Sequence, residues 1–180
     1  MREDLEEVVA IPEGVVVDLK DGVLNVKGPA GEVKREFNHP KIKLNIKDGS
    51  VVLGVVKATK REKKMLKTYV AHVGNLFKGV VNAFHYRLKI CSSHFPMNVS
   101  VNNNKLTIKN FLGEKSPRVL DIKAGVDVKV NGDVIDVSSC DKELAGNVAS
   151  DIELLTKKTG KDVRIFQDGI YIIDKGGKLV

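Results

Sequence analysis

The chain has 180 residues, with 30 Lys and Arg against 23 Asp and Glu, a formal net charge of +7 and a pI near 9.3; 42% of its residues are hydrophobic and 5% aromatic. That hydrophobic share is too large for a disordered polycation, and no apolar run approaches the roughly 20 residues needed to cross a bilayer. The first nine residues hold four acidic residues against one Arg and lack signal-peptide regions, and two cysteines supply neither a disulfide framework nor a Cys-x-x-Cys metal site, so a soluble cytoplasmic protein without membrane contact is expected.

In chain order, short β-branched runs at 15–19, 23–27, 34–37, 41–46 and 51–56 predict strands, broken by Asp21-Gly22, Pro29 to Gly31 and Asp48-Gly49. A helix follows: Thr59-x-x-Glu62 has capping-box spacing, and Leu66, Tyr69, Val70, Val73 and Phe77 recur as one apolar stripe. Phe84, Tyr86, Leu88 and Ile90 then alternate with His85, Arg87 and Lys89, which predicts a strand with one apolar and one basic face. Further strands are expected at 97–101, 105–109, 119–122, 126–130 and 134–138. A second helix, starting at Ser138 or Ser139, is expected to bury Leu144, Val148, Ile152 and Leu155. The run from Val163 to Lys175 reads as a hairpin turning at Asp168-Gly169.

This order contains a repeat. Leu24-Asn-Val-Lys-Gly-Pro-Ala-Gly-Glu32 matches Leu106-Thr-Ile-Lys-Asn-Phe-Leu-Gly-Glu114, Asp48-Gly49 matches Asn131-Gly132, and Val70-Ala71 with Leu76 matches Val148-Ala149 with Leu154. Three matches in order imply two copies of one unit, residues 1–82 and 83–180, with the second helix about one turn shorter. Strands grouped before one helix give an α+β class: two tandem repeats of an antiparallel or mixed β-sheet with one helix packed across it.

Signatures of catalysis are weak. There is no Gly-x-x-x-x-Gly-Lys-Ser/Thr loop, and His39, His72, His85 and His94 have neither His-x-x-x-His nor His-Glu-x-x-His spacing. Cys91 near His94 is a possible thiolate pair, but an alternating strand explains it better as a small hydrophobe. Cys140 at a helix start is either a low-pKa thiol or a structural residue, the latter fitting better. No enzyme, no cofactor and no metal are expected.

Positive charge is clustered. Lys60, Arg61, Lys63 and Lys64 crowd the start of the first helix, where the macrodipole disfavours them; they form either a solvated face or a contact for a polyanion. In the second copy Lys109, Lys115 and Arg118 bracket Asn110-Phe111-Leu112-Gly113-Glu114, and Lys161 and Arg164 lie beyond the second helix, with Lys175 in the tail. Residues 1–82 carry +4 and residues 83–180 carry +3, so net charge does not choose between the copies. Aromatics are scarce, with Phe111 the main candidate for exposure, which favours folded RNA recognised by shape over stacked single strands.

The segment Ser93-His94-Phe95-Pro96, the loop Lys109-Asn-Phe-Leu-Gly-Glu-Lys115-x-Pro-Arg118 and the closing Arg164-x-Phe166-x-Asp168-Gly169-Ile170-Tyr171-Ile172 resemble the universal L-six family of large-ribosomal-subunit proteins, in its archaeal and eukaryotic form. The resemblance implies a non-catalytic protein that binds 23S-type large-subunit rRNA near the sarcin-ricin loop and stalk base. Neighbouring ribosomal proteins would lie alongside and translational GTPases would dock nearby. It implies contact mainly through the C-terminal copy, by Lys109, Asn110, Lys115, Arg118, Arg164 and Lys175, to which placement adds Lys161. Gly113 and Gly169 would serve turns, and Phe166 and Tyr171 would pack the terminal hairpin. On this reading, replacing Lys115 and Arg118 by Ala weakens RNA binding without lowering the melting temperature. The alternative is a basic protein-interaction module that recruits acidic partners.

Overall fold

The computed structural model describes residues 3–47, 49–162 and 164–179. Asp48, in the expected Asp48-Gly49 turn, and Val163, at the start of the expected terminal hairpin, lie outside the described residues. The chain divides into two compact units, Met1–Ala83 and Phe84–Val180.

The first unit comprises β1 (Glu3–Ala10), β2 (Val16–Lys20), β3 (Val23–Gly28), β4 (Gly31–Glu36), β5 (Ile42–Lys47), β6 (Ser50–Ala58) and α1 (Lys60–Val81). Its strands form two antiparallel sheets, β1-β6-β5 and β2-β3-β4, and α1 packs against β1 and β6 of one and β3 and β4 of the other. Alternation sends Leu24 and Val26 of β3, and Val51, Leu53 and Val55 of β6, into a core closed by Leu66, Val73, Phe77 and Val80 of α1. The capping box is present: the Thr59 N–H donates to Glu62 Oε2 at 2.9 Å. Strand β1 was not expected, because four of its eight residues are acidic. Leu5 and Val9 nevertheless face inward opposite Val55 and Val51, so pairing with a core strand overrides weak strand composition.

The second unit comprises β7 (Phe84–Cys91), β8 (Asn98–Asn102), β9 (Lys105–Lys109), β10 (Arg118–Asp121), β11 (Asp127–Asn131), β12 (Val134–Ser139), α2 (Lys142–Leu155) and β13 (Gly169–Lys175). The sheets are β11-β12-β7-β13 and β10-β9-β8, again antiparallel, with α2 lying on β7, β12, β13 and β10. Leu88, Leu106, Ile108, Ile135, Val137, Ile152 and Ile170 fill the core. Strands β1 and β7 are each eight residues long and hold the same place, beside β6 and β12 respectively, so the repeat begins with them.

The α+β class of two tandem repeats, each with one helix packed across antiparallel strands, holds, with the strands of each copy divided between two small sheets that the helix covers in part. Expectations for α2 and for the terminal hairpin need correction. Helix α2 starts at Lys142 rather than at Ser138 or Ser139: the Asp141 carboxylate accepts from the Glu143 N–H at 2.8 Å, while Ser139 stays in β12 and donates to the Gly125 carbonyl at 2.7 Å. Its 14 residues against the 22 of α1 make it about two turns shorter, not one, and its buried face is Ala145, Val148, Ala149 and Ile152, with Leu144 and Leu155 only partly buried. The terminal hairpin is replaced by the single strand β13, which pairs with β7 from Gly169 onward, because the Ile165 and Phe166 N–H groups close a turn on the Asp162 carbonyl instead of joining a ladder.

Candidate nucleic-acid interface

Asp168 is 1% exposed and immediately precedes β13. Its carboxylate accepts from the Ser93 N–H at 2.5 Å, the His94 N–H at 2.9 Å, the Ser93 hydroxyl at 3.2 Å and His94 Nδ1 at 2.6 Å. An ionised carboxylate can only accept, so Nδ1 bears the imidazole proton. Burial opposes the charge most strongly of any single influence, yet the bonds from His94 and Ser93 together outweigh it and hold the carboxyl well below the usual range. The His94 ring also stacks on Phe166, with centroids 4.9 Å apart, and Lys161 Nζ lies 4.4 Å from the centroid of that same ring. Lys158 Nζ donates to the Phe166 carbonyl. The Ser93–Pro96 loop is thereby pinned to segment 158–168.

The other end of that loop is pinned to the 109–118 segment. Asn110 adopts the left-handed conformation that asparagine tolerates, and its amide donates to the Pro96 carbonyl at 3.0 Å. Gly113, at φ +79°, presents bare backbone to the Phe95 ring; a Cβ there would lie 3.6 Å from it. The turn folds Phe111 inward to 1% exposure, so the expectation that this ring is exposed is wrong. Arg118 is fully engaged: it forks onto Glu114 at 2.8 and 2.5 Å, donates to the Leu155 carbonyl and sits 4.3 Å over the Phe111 ring. Its hydrogen bonds lower the Glu114 pKa. Arg118 thus ties the loop to the end of α2, which the expectation of an unchanged melting temperature did not foresee.

Lys109, Lys115, Lys161 and Arg164 are exposed, and among the described residues their side chains enter no ion pair. Two cationic segments that the sequence places fifty residues apart are therefore held by one short loop. Lys175 is not part of this cluster. It sits opposite Tyr86, whereas Gly169 sits opposite Cys91, which puts it roughly 20 Å along the strand at about 3.3 Å per residue. Gly169 does not make a turn; it opens β13, and a Cβ there would meet the Tyr171 ring at 3.1 Å.

In the first unit Lys60, Arg61, Lys63 and Lys64 are all exposed on the first turns of α1. Glu62 sits inward among them, 8% exposed. The Lys41 ammonium at 2.8 Å, with the Thr59 N–H, holds its pKa at about 2. This buried carboxylate offsets the unfavourable dipole and leaves the four cations facing water.

Nothing here is built for bond chemistry. Ser93 Oγ and Asp168 approach the same imidazole nitrogen, Nδ1, so the ring cannot pass a proton between them as a hydrolytic triad requires. His94 turns to Asp168 rather than to Cys91, and burial pushes the Cys140 thiol pKa up. Among the described residues no three His, Cys, Asp or Glu side chains are grouped to hold a metal ion. The clasp itself escaped sequence reasoning. Its members were noted in separate motifs, but a separation of 74 to 75 residues leaves no local periodicity to join them.

The family model described as ribosomal protein L6 matches residues 11–82 and 95–169. Similar proteins include the large ribosomal subunit protein uL6 of Nanoarchaeum equitans, 45% identical over 94% of this chain and 93% of the relative. The uL6 proteins of Methanosarcina mazei (43% identical; 97% and 99%) and Methanococcus vannielii (42%; 98% and 97%) are comparably similar.

Proposed function

Because the chain belongs to the ribosomal protein L6 family, whose members are structural and not enzymatic, we propose that it is a cytoplasmic constituent of the large ribosomal subunit that binds 23S-type rRNA. Its contact region lies near the sarcin-ricin loop and stalk base, beside neighbouring ribosomal proteins, where it supports the docking region of translational GTPases. The observation that carries RNA binding is the clamped loop, which brings Lys109 and Lys115 into one rigid assembly with Lys161 and Arg164. Fixed cations neutralise phosphates without reading sequence, and rigidity lets them select the shape of a folded RNA. Asn110 and Arg118 serve this surface by shaping its loop, and Lys175 makes a separate contact. The α1 patch of Lys60, Arg61, Lys63 and Lys64 is a second phosphate-binding surface.

The test is binding of the full chain to deproteinised large-subunit rRNA across a potassium chloride series, with co-sedimentation on large subunits. Wild type loses affinity steeply with salt. Replacing Lys109 and Lys115 by Ala reduces the log–log slope by roughly 1.5, at about 0.7–0.9 per phosphate contact. Binding indifferent to salt would overturn the reading, and association that survives nuclease would favour the protein-interaction alternative.

A further inference from the structure

The clamped loop leaves one large aromatic ring in water. Phe95 is 47% exposed, while Phe111 is 1% and Tyr86 is 8% exposed. The other exposed aromatic among the described residues, Tyr171, has its hydroxyl tied to the Gln167 carbonyl at 3.1 Å. One side of the Phe95 ring rests on Gly113, which has no side chain to cover it. The backbone is held on both flanks, at Ser93 and His94 by Asp168 and at Pro96 by Asn110. Ordering the ring on binding therefore costs little entropy, a condition that favours an exposed aromatic as an anchor. Cations are close in the chain and in the clasp: Lys109 and Lys115 bracket in sequence the segment under the ring, and Lys161 lies over Phe166, whose ring stacks on His94, the residue next to Phe95. Such a setting suits an anionic chain whose units have flat faces.

Resting on the RNA-binding reading above, we propose that Phe95 stacks on a single unpaired base of the bound RNA, a bulged or loop nucleotide whose flanking phosphates meet Lys109, Lys115 and Lys161. Tracts of single strand need a row of exposed rings, and this surface has one; a lone ring fits one base extruded from folded RNA. It supplies a preference for a particular RNA feature that the lysines, as phosphate contacts, do not.

The experiment compares full-length wild type, Phe95→Leu, Phe95→Trp and the Lys109→Ala/Lys115→Ala double variant on deproteinised archaeal 23S rRNA, in a salt series with nucleotide-resolution chemical probing. Leu keeps apolar cover over Gly113 but removes the π face; Trp keeps it. Phe95→Leu should bind roughly five- to a hundredfold more weakly with an unchanged salt slope, and should lose the protection of one unpaired nucleotide that wild type and Phe95→Trp retain. Wild-type affinity and an unchanged footprint for Phe95→Leu, alongside a reduced slope for the lysine variant, would overturn the stacking proposal and leave RNA binding standing. Equal weakening by Leu and Trp would also overturn it, since shape rather than stacking would then matter. Salt-independent binding by every protein would instead sink the RNA-binding reading itself. Thermal melts of both Phe95 variants separate loss of fold from loss of contact.

Discussion

Replacing Asp168 by Asn keeps the shape of a buried side chain and removes the charge on which four donors converge. The variant should lose about 1–3 kcal/mol at pH 7, read by urea unfolding, because buried donors are left poorly matched. Its pH dependence follows from the lowered folded pKa. The stabilisation is complete above the unfolded value of about 3.9 and is lost as pH falls below it toward the folded value. Wild type should therefore begin to lose its advantage over Asp168→Asn below about pH 4, with the loss still incomplete at about pH 2, and show none of that loss between about pH 5 and 8. Arg118 and Lys115 separate in the same way. Arg118→Ala should cost roughly 1–2 kcal/mol, since it breaks a forked ion pair and a carbonyl bond at once. Lys115→Ala should leave the melting temperature unchanged and lower only RNA affinity. Residue types and clustering showed where cations gather, but not which were already spoken for. A charge is free or occupied according to its three-dimensional neighbours, and Leu155 is 37 residues from Arg118.

At the scale of elements, the β3–β4 turn seats the end of α1. The Val80 carbonyl accepts from the Ala30 N–H at 2.8 Å, and a Cβ on Gly28 would stand 2.7 Å from that same oxygen. Gly28→Ala should therefore destabilise the first unit by about 1–3 kcal/mol through backbone overpacking, lowering its melting temperature by several degrees in calorimetry. Gly49→Ala is a useful contrast, because a Cβ there meets nothing and only its φ of +70° opposes substitution. Strands β2 to β12 and helix α1 were legible because alternation and capping are local patterns. Strand β1, the start of α2 and the terminal hairpin, of which only β13 forms, were not. Strand β1 is acidic and owes its place to backbone pairing with β6, though its counterpart β7 was visible, so aligning the first residues with Phe84–Cys91 would have revealed it. The start of α2 was misplaced because Ser138, Ser139 and Asp141 all suit an N-cap, and only the pairing of Ser138 and Ser139 with His85 and Phe84 keeps those two in the strand.

At the scale of the whole molecule, the two cationic surfaces make a paired prediction. In the full chain, replacing Lys109, Lys115, Lys161 and Arg164 by Ala should flatten the salt dependence of rRNA binding more than replacing Lys60, Arg61, Lys63 and Lys64. The first set frames a clamped loop, whereas the second projects from one helix face. An equal effect would show that both units grip RNA alike. The duplicated α+β plan, the positions of most strands and the family were determined by the sequence alone, because turn chemistry, alternation and internal repetition are written in neighbouring residues. Tertiary structure alone decided which side chains remain available. It buried Phe111 and exposed Phe95, engaged Arg118, set Lys175 apart from the other cations, and turned Asp168 from an expected hairpin residue into the clasp of the loop. These outcomes depend on contacts across 37 to 75 residues of chain, where burial and hydrogen-bond geometry, not local pattern, set the free energy.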